Sequence, residues 1–153
     1  MWALGFVLIV VLLFWYGNAR SNDARRRGAV SFEFDEPDGY VRWIVNFQRG
    51  RLFFRWEPPH DPDPSDRNRN LEYELRREGA GQWSMRLTDE SWGRALQHAR
   101  ADAKSEMPTV EEGANRRLQE LGDSPEWGPI SPHLAAVIEN RYQTYAEVFG
   151  IHS

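Results

Sequence analysis

Cysteine is absent from the chain, and lysine occurs once, at Lys104. Without thiols there is no disulfide, no cysteine nucleophile and no zinc site built on thiolates. Arginine takes lysine's place throughout, a skew that a GC-rich genome produces by itself, so a surface arginine is weak grounds for recognition. Glycine-rich phosphate loops of the Walker or dinucleotide type are missing, and no serine sits in a Gly-x-Ser-x-Gly turn. No repeat or low-complexity segment interrupts the sequence. These absences remove the usual signatures of nucleotide binding and of serine or cysteine catalysis. The expectation is a non-enzyme with no catalytic residue, no cofactor and no metal.

What is present begins with an uncharged run of fifteen residues, 2–16, followed by Arg20, Arg25, Arg26 and Arg27. The run is apolar on every side of a helix, which leaves no face for water. At about 1.5 Å per residue it approaches the roughly 30 Å hydrocarbon core of a bilayer. Trp2 at one end, and Trp15 with Tyr16 at the other, stand where interfacial aromatic side chains belong. A cleaved signal peptide would want a basic start, which Met1 and Trp2 do not supply. A soluble core helix would need a larger protein around it. The reading is a transmembrane anchor over residues 1–17 with a basic juxtamembrane linker over 18–29. The arginines after the helix orient it with the N-terminus outside and the rest cytoplasmic, as a single-pass protein of a bacterial inner membrane in contact with lipid.

Formal net charge is −4, unevenly spread. Residues 20–58 carry eight arginines against six acids, whereas residues 59–153 carry eleven basic against seventeen acidic side chains. An acidic distal surface repels phosphates, so nucleic acid is a disfavoured partner.

From residue 30 the apolar positions recur with period two. Phe32 and Phe34 are followed by a Pro37, Asp38, Gly39 turn; Val41, Trp43 and Val45 follow, then a tight turn at Gly50. Leu52, Phe54 and Trp56 form the return strand. Leu71, Tyr73 and Leu75, then Trp83, Met85 and Leu87, repeat the pattern around a Gly79 to Gly81 turn. This is an antiparallel meander of about five strands with one wet face.

Helical spacing takes over afterwards. Thr88 caps a helix bearing Trp92, Ala95, Leu96 and Ala99. Thr109 with Glu112 reads as a capping box, and Ser131 with Pro132 opens a third helix that Gly150 ends. The fold class is therefore α+β: an N-terminal transmembrane helix, then a sheet covered on one face by about three C-terminal helices, with residues 30–153 as one domain.

Three groups of side chains invite a chemical reading. Asp61, Asp63, Ser65 and Glu72 match positions 1, 3, 5 and 12 of a calcium loop, but Asp66 replaces the required glycine and prolines intervene. His98, Asp102 and Glu106 lie one turn apart, as on any exposed amphipathic helix. Tyr40, Arg42, Arg49, Arg51, Phe53 and Arg55 form a basic and aromatic surface on the first hairpin, where cross-strand pairing with Glu33 and Asp35 is the plainer use of the arginines, and Trp127 sits between turn residues. These seven are the candidate partner-binding residues.

Function is accordingly expected to be that of an accessory or scaffold subunit, docking onto other subunits of a membrane complex or onto itself. Two alternatives stand beside it. One is a small-ligand-binding or enzymatic domain with a pocket between sheet and helices near Tyr73, His98 or Arg141. The other is an inner-membrane component of a phage or secretion apparatus.

Overall fold

The computed structural model describes residues 2–37, 39–56 and 70–152, the side chains of 2–15 excepted. Helix α1 (Trp2–Val30) leads directly into β1 (Ser31–Asp35), followed by β2 (Val41–Asn46), β3 (Arg51–Trp56), β4 (Leu71–Gly79) and β5 (Gln82–Leu87). Then come α2 (Asp89–Asp102), α3 (Pro108–Leu121), β6 (Gly128–Pro129) and α4 (Pro132–Phe149). The six strands form one antiparallel sheet in the order β1-β2-β3-β4-β5-β6. The α+β meander thus stands, with a sixth strand added.

The membrane anchor does not stand. Among the described residues no helix is long and apolar enough to cross a membrane. The single-pass transmembrane helix, the inner-membrane localisation and the N-out orientation are withdrawn with it. The physical reason lies in length and continuity. Fifteen apolar residues reach only about 23 Å against about 30 Å of hydrocarbon. The helix then runs on through the expected linker to Val30, with Arg20, Asp23, Arg25, Arg26 and Arg27 exposed. Tyr16 is 63% exposed. Trp2 and Trp15, expected at a lipid interface, lie outside the residues whose side chains are described.

Period-two alternation fixes which side of the sheet is covered. Val45 on β2 faces Leu52 on β3, which faces Tyr73 on β4, which faces Leu87 on β5. With Leu75, Trp83, Ile130, Leu134, Ala135 and Ile138, the Val45 and Leu52 pair forms the core. Helix α4 lies over it. Aromatic rings extend the core toward the β2–β3 turn, Phe47 meeting Tyr142 at 5.5 Å and Trp83 at 6.0 Å. Helix α1 lies against α4, and its end is tied down where Phe47 N–H donates to the Val30 carbonyl at 2.9 Å.

Helices α2 and α3 pack on each other as a hairpin, with Ala99 and Ala114 fully buried. Two of the three expected caps are in place: Thr88 Oγ1 accepts from Ser91 N–H, and Ser131 Oγ accepts from Leu134 N–H. The capping box at Thr109 is not used. Met107 is the N-cap and Pro108 takes the first helical position, since its fixed φ and missing N–H suit the first turn.

At the β2–β3 turn, Gly50 adopts φ 58°, and a Cβ there would lie 3.2 Å from the Leu75 carbonyl. That carbonyl's neighbour, Leu75 N–H, donates to the Gly50 carbonyl at 2.8 Å, so the turn is stitched to β4.

Candidate functional site

The face of the sheet turned away from α4 is covered by no helix among the described residues, although α2 reaches its margin through Arg94. Alternation places Glu33 and Asp35, Arg42 and Ile44, Arg51, Phe53 and Arg55, Glu72, Glu74 and Arg76, and Ser84 with Arg86 on it. Four of the candidate partner-binding residues, Arg42, Arg51, Phe53 and Arg55, therefore share one surface. Tyr40 and Arg49 fall in the turns at the two ends of β2, where the Arg49 N–H donates to Asn46 Oδ1 at 2.9 Å. Trp127 reaches the same surface from the far side, since β6 places Gly128 opposite Met85 and turns its neighbours outward. Its ring lies 4.3 Å from the Arg76 guanidinium and 5.5 Å from that of Arg86.

The surface is not the basic patch that the arginines alone suggest. Arg42 Nε donates to Asp35 at 2.7 Å. Arg51 lies 3.2 Å from Glu72 and 3.4 Å from Glu74, and Arg86 donates to Glu74 from its other side at 2.9 Å. Glu78 accepts from Ser84 Oγ and Arg76, which together hold its carboxyl below the usual range. Water screens such exposed pairs, so each adds little to stability. Their collective effect is to order the side chains and cancel the field. In the middle, Ile44 and Phe53 face each other across β2 and β3, both half-buried, beside a hollow of about 150 Å3 that Arg94 of α2 also lines.

A second concavity lies on the opposite face, where α4 does not reach. It is an open groove of about 370 Å3, floored by Tyr73, Met85 and Leu87 and walled by Trp92, Leu121 and the connection that leads into β6. Burial raises the Tyr73 phenol above its ordinary value. Trp92 Nε1 donates to the Leu121 carbonyl at 3.0 Å and fixes the indole against the end of α3. Of the residues expected around a pocket, only Tyr73 lines this groove. His98 is half-buried on α2, and Arg141 lies over the Phe32 ring at 5.4 Å.

On the covered face, under α4, stands a cluster that the spacing of the apolar residues does not mark. Glu139 of α4 accepts from Arg77 Nη2 at 2.8 Å, Trp83 Nε1 at 2.8 Å and Gln143 Nε2 at 2.9 Å. These donors, Arg77 foremost, bring its carboxyl down to about 2. Arg77 also lies 4.8 Å from the Tyr142 ring centroid. Its available signal was position: Arg77 follows Leu71, Tyr73 and Leu75 on the inward register of β4.

The metal readings find no assembly. Among the described residues no group of three His, Asp or Glu side chains is placed to hold an ion. Asp102 is paired with Arg117 at 4.0 Å, and Glu72 with Arg51. His60, Asp61, Asp63, Ser65 and Asp66 lie outside the described residues. No family model matches the chain, and no curated protein or solved structure is significantly similar to it.

Proposed function

We propose that the chain is a non-catalytic docking domain, an accessory or scaffold subunit that binds other protein subunits, or a second copy of itself, through the helix-free face of its sheet. One observation carries this reading: that face combines a half-buried apolar centre, Ile44 and Phe53, with a charge-matched arginine and carboxylate surround and a tryptophan at its margin. Arginine and aromatic side chains dominate protein interfaces, and a surface whose charges are already paired loses little field when it is covered. Phosphate-bearing partners suit it poorly, because Glu72, Glu74, Glu78 and Asp35 stand among the arginines.

The test is capture from the native cell. The full chain, tagged at its C-terminus, is purified alongside Ile44→Asp and Trp127→Ala variants, and the mass of each complex is measured by light scattering. The expected result is a complex larger than the 17.9 kDa monomer that both substitutions weaken. A lone monomer, or a complex indifferent to both changes, would sink the reading.

A further inference from the structure

The groove beside α3 differs in charge from the face that carries Ile44 and Phe53. On the helix-free face arginines meet acids, but the groove is lined by Glu120 and Glu126 and by no basic side chain. Neither glutamate has an ion-pair partner among the described residues. Helix α3 ends here, its last turn carries no basic residue, and its terminal carbonyls add partial negative charge at the rim. The floor is different in kind: Tyr73, Met85, Leu87 and Trp92 present aromatic and apolar surface. An apolar floor beneath an unbalanced acidic rim is complementary to a group that is greasy at one end and cationic at the other.

At about 370 Å3 the space lies at the small end of ligand pockets, which run to about 1,000 Å3. It is open to solvent and bounded by β6 and the connection before it, so the side chains of a partner segment can reach its floor from outside. We infer that this groove binds an extended segment of a partner protein, which seats one large apolar side chain on Tyr73, Met85 and Leu87 and sets an adjacent arginine or lysine against Glu120 and Glu126. The site lies on the opposite side of the sheet from Ile44 and Phe53, and it does not depend on the docking role given to that face.

Acetyl-Phe-Arg-amide is a minimal probe, with acetyl-Phe-Glu-amide and acetyl-Gly-Arg-amide as controls. Titrated into the full-length 15N-labelled chain, it is expected to shift the Trp92 indole N–H resonance saturably and to leave that of Trp127 in place. Glu120→Gln with Glu126→Gln is expected to weaken binding about three- to fivefold, as is raising the salt. Ser124→Trp, a change at an exposed rim position, is expected to fill the groove and abolish the shift. An unmoved Trp92, or equal binding of the Phe-Glu control, overturns the proposal. Because Ser124 lines the groove and not the hollow beside Ile44 and Phe53, partner capture in this variant, read beside that of Ile44→Asp, separates failure of the groove from failure of the face.

Discussion

Arg77 and Glu139, sixty-two positions apart in sequence, meet through two hydrogen bonds of 2.8 and 3.2 Å where α4 crosses β4. Their side chains are 18% and 16% exposed, so water screens the pair far less than it screens the arginines of the opposite face. Trp83 and Gln143 complete the carboxylate's shell. The contact is therefore a rivet between helix and sheet.

Loss of that carboxylate should be costly. Glu139→Gln leaves the Arg77 guanidinium half-buried without its counter-charge, and is expected to destabilise the fold by about 2 kcal/mol in urea unfolding. The pH dependence has a definite sign. The carboxyl titrates at about 2 when folded against an ordinary value of 4.5, so its contribution is complete above about 4.5 and is lost as pH falls toward 2. The urea midpoint of the parent should drop through that window, and that of Glu139→Gln should drop less. Parallel curves would remove the rivet from the account.

Gly50 is held at a positive φ with its would-be Cβ 3.2 Å from backbone. Alanine there meets both the left-handed penalty and the Leu75 carbonyl, and Gly50→Ala should cost about 1–2 kcal/mol. Thermal denaturation followed by circular dichroism reads this directly. Gly39 also has positive φ, but nothing lies within 4 Å of its Cβ position, so the same change there should cost less.

Ser91 is fully buried, and its Oγ accepts from the Glu72 N–H at 2.9 Å and from Arg94 at 3.2 Å. It thus ties the first turn of α2 to the start of β4. Ser91→Ala should lower stability by about 1–2 kcal/mol, because the Glu72 N–H loses its acceptor. Amide exchange at Glu72 should accelerate while exchange at Val45 in the core stays slow.

Trp127 offers the opposite case. It is 36% exposed and held by two arginines, contacts worth about 0.5–1 kcal/mol at such sites. Trp127→Ala should leave the melting temperature nearly unchanged while reducing partner capture severalfold. A variant that unfolds instead would make Trp127 part of the structural frame.

Alternation made the first five strands and their covered face legible, because a one-residue slip would put Val45, Leu52 and Leu75 in water. The sixth strand was not legible: Gly128 and Pro129 spell a turn, and proline is tolerated only where a sheet ends. Helix α1 outran its expected end because alanine and arginine between Gly17 and Gly28 favour helix enough to offset the glycines. The arginines of the first hairpin could be placed on one face from spacing alone. The pairing of Arg42 with Asp35 was legible too, as a cross-strand pair of β1 and β2, but that of Arg51 was not, since it depends on which residues of β4 stand beside β3 after the intervening residues 57–69. Long-range pairs such as Arg77 with Glu139 leave only a trace, a charge at an inward position.

No residue separates Val30, the last of α1, from Ser31, the first of β1. A loop at that junction would let the helix swing while the strand stayed still; here there is no slack. Any load on the charged second half of α1 is delivered straight to the outermost strand, which hydrogen-bonds to a single neighbour strand, β2. Helix and sheet margin are therefore joined without a hinge, so a pull on one is transmitted to the other through the backbone alone.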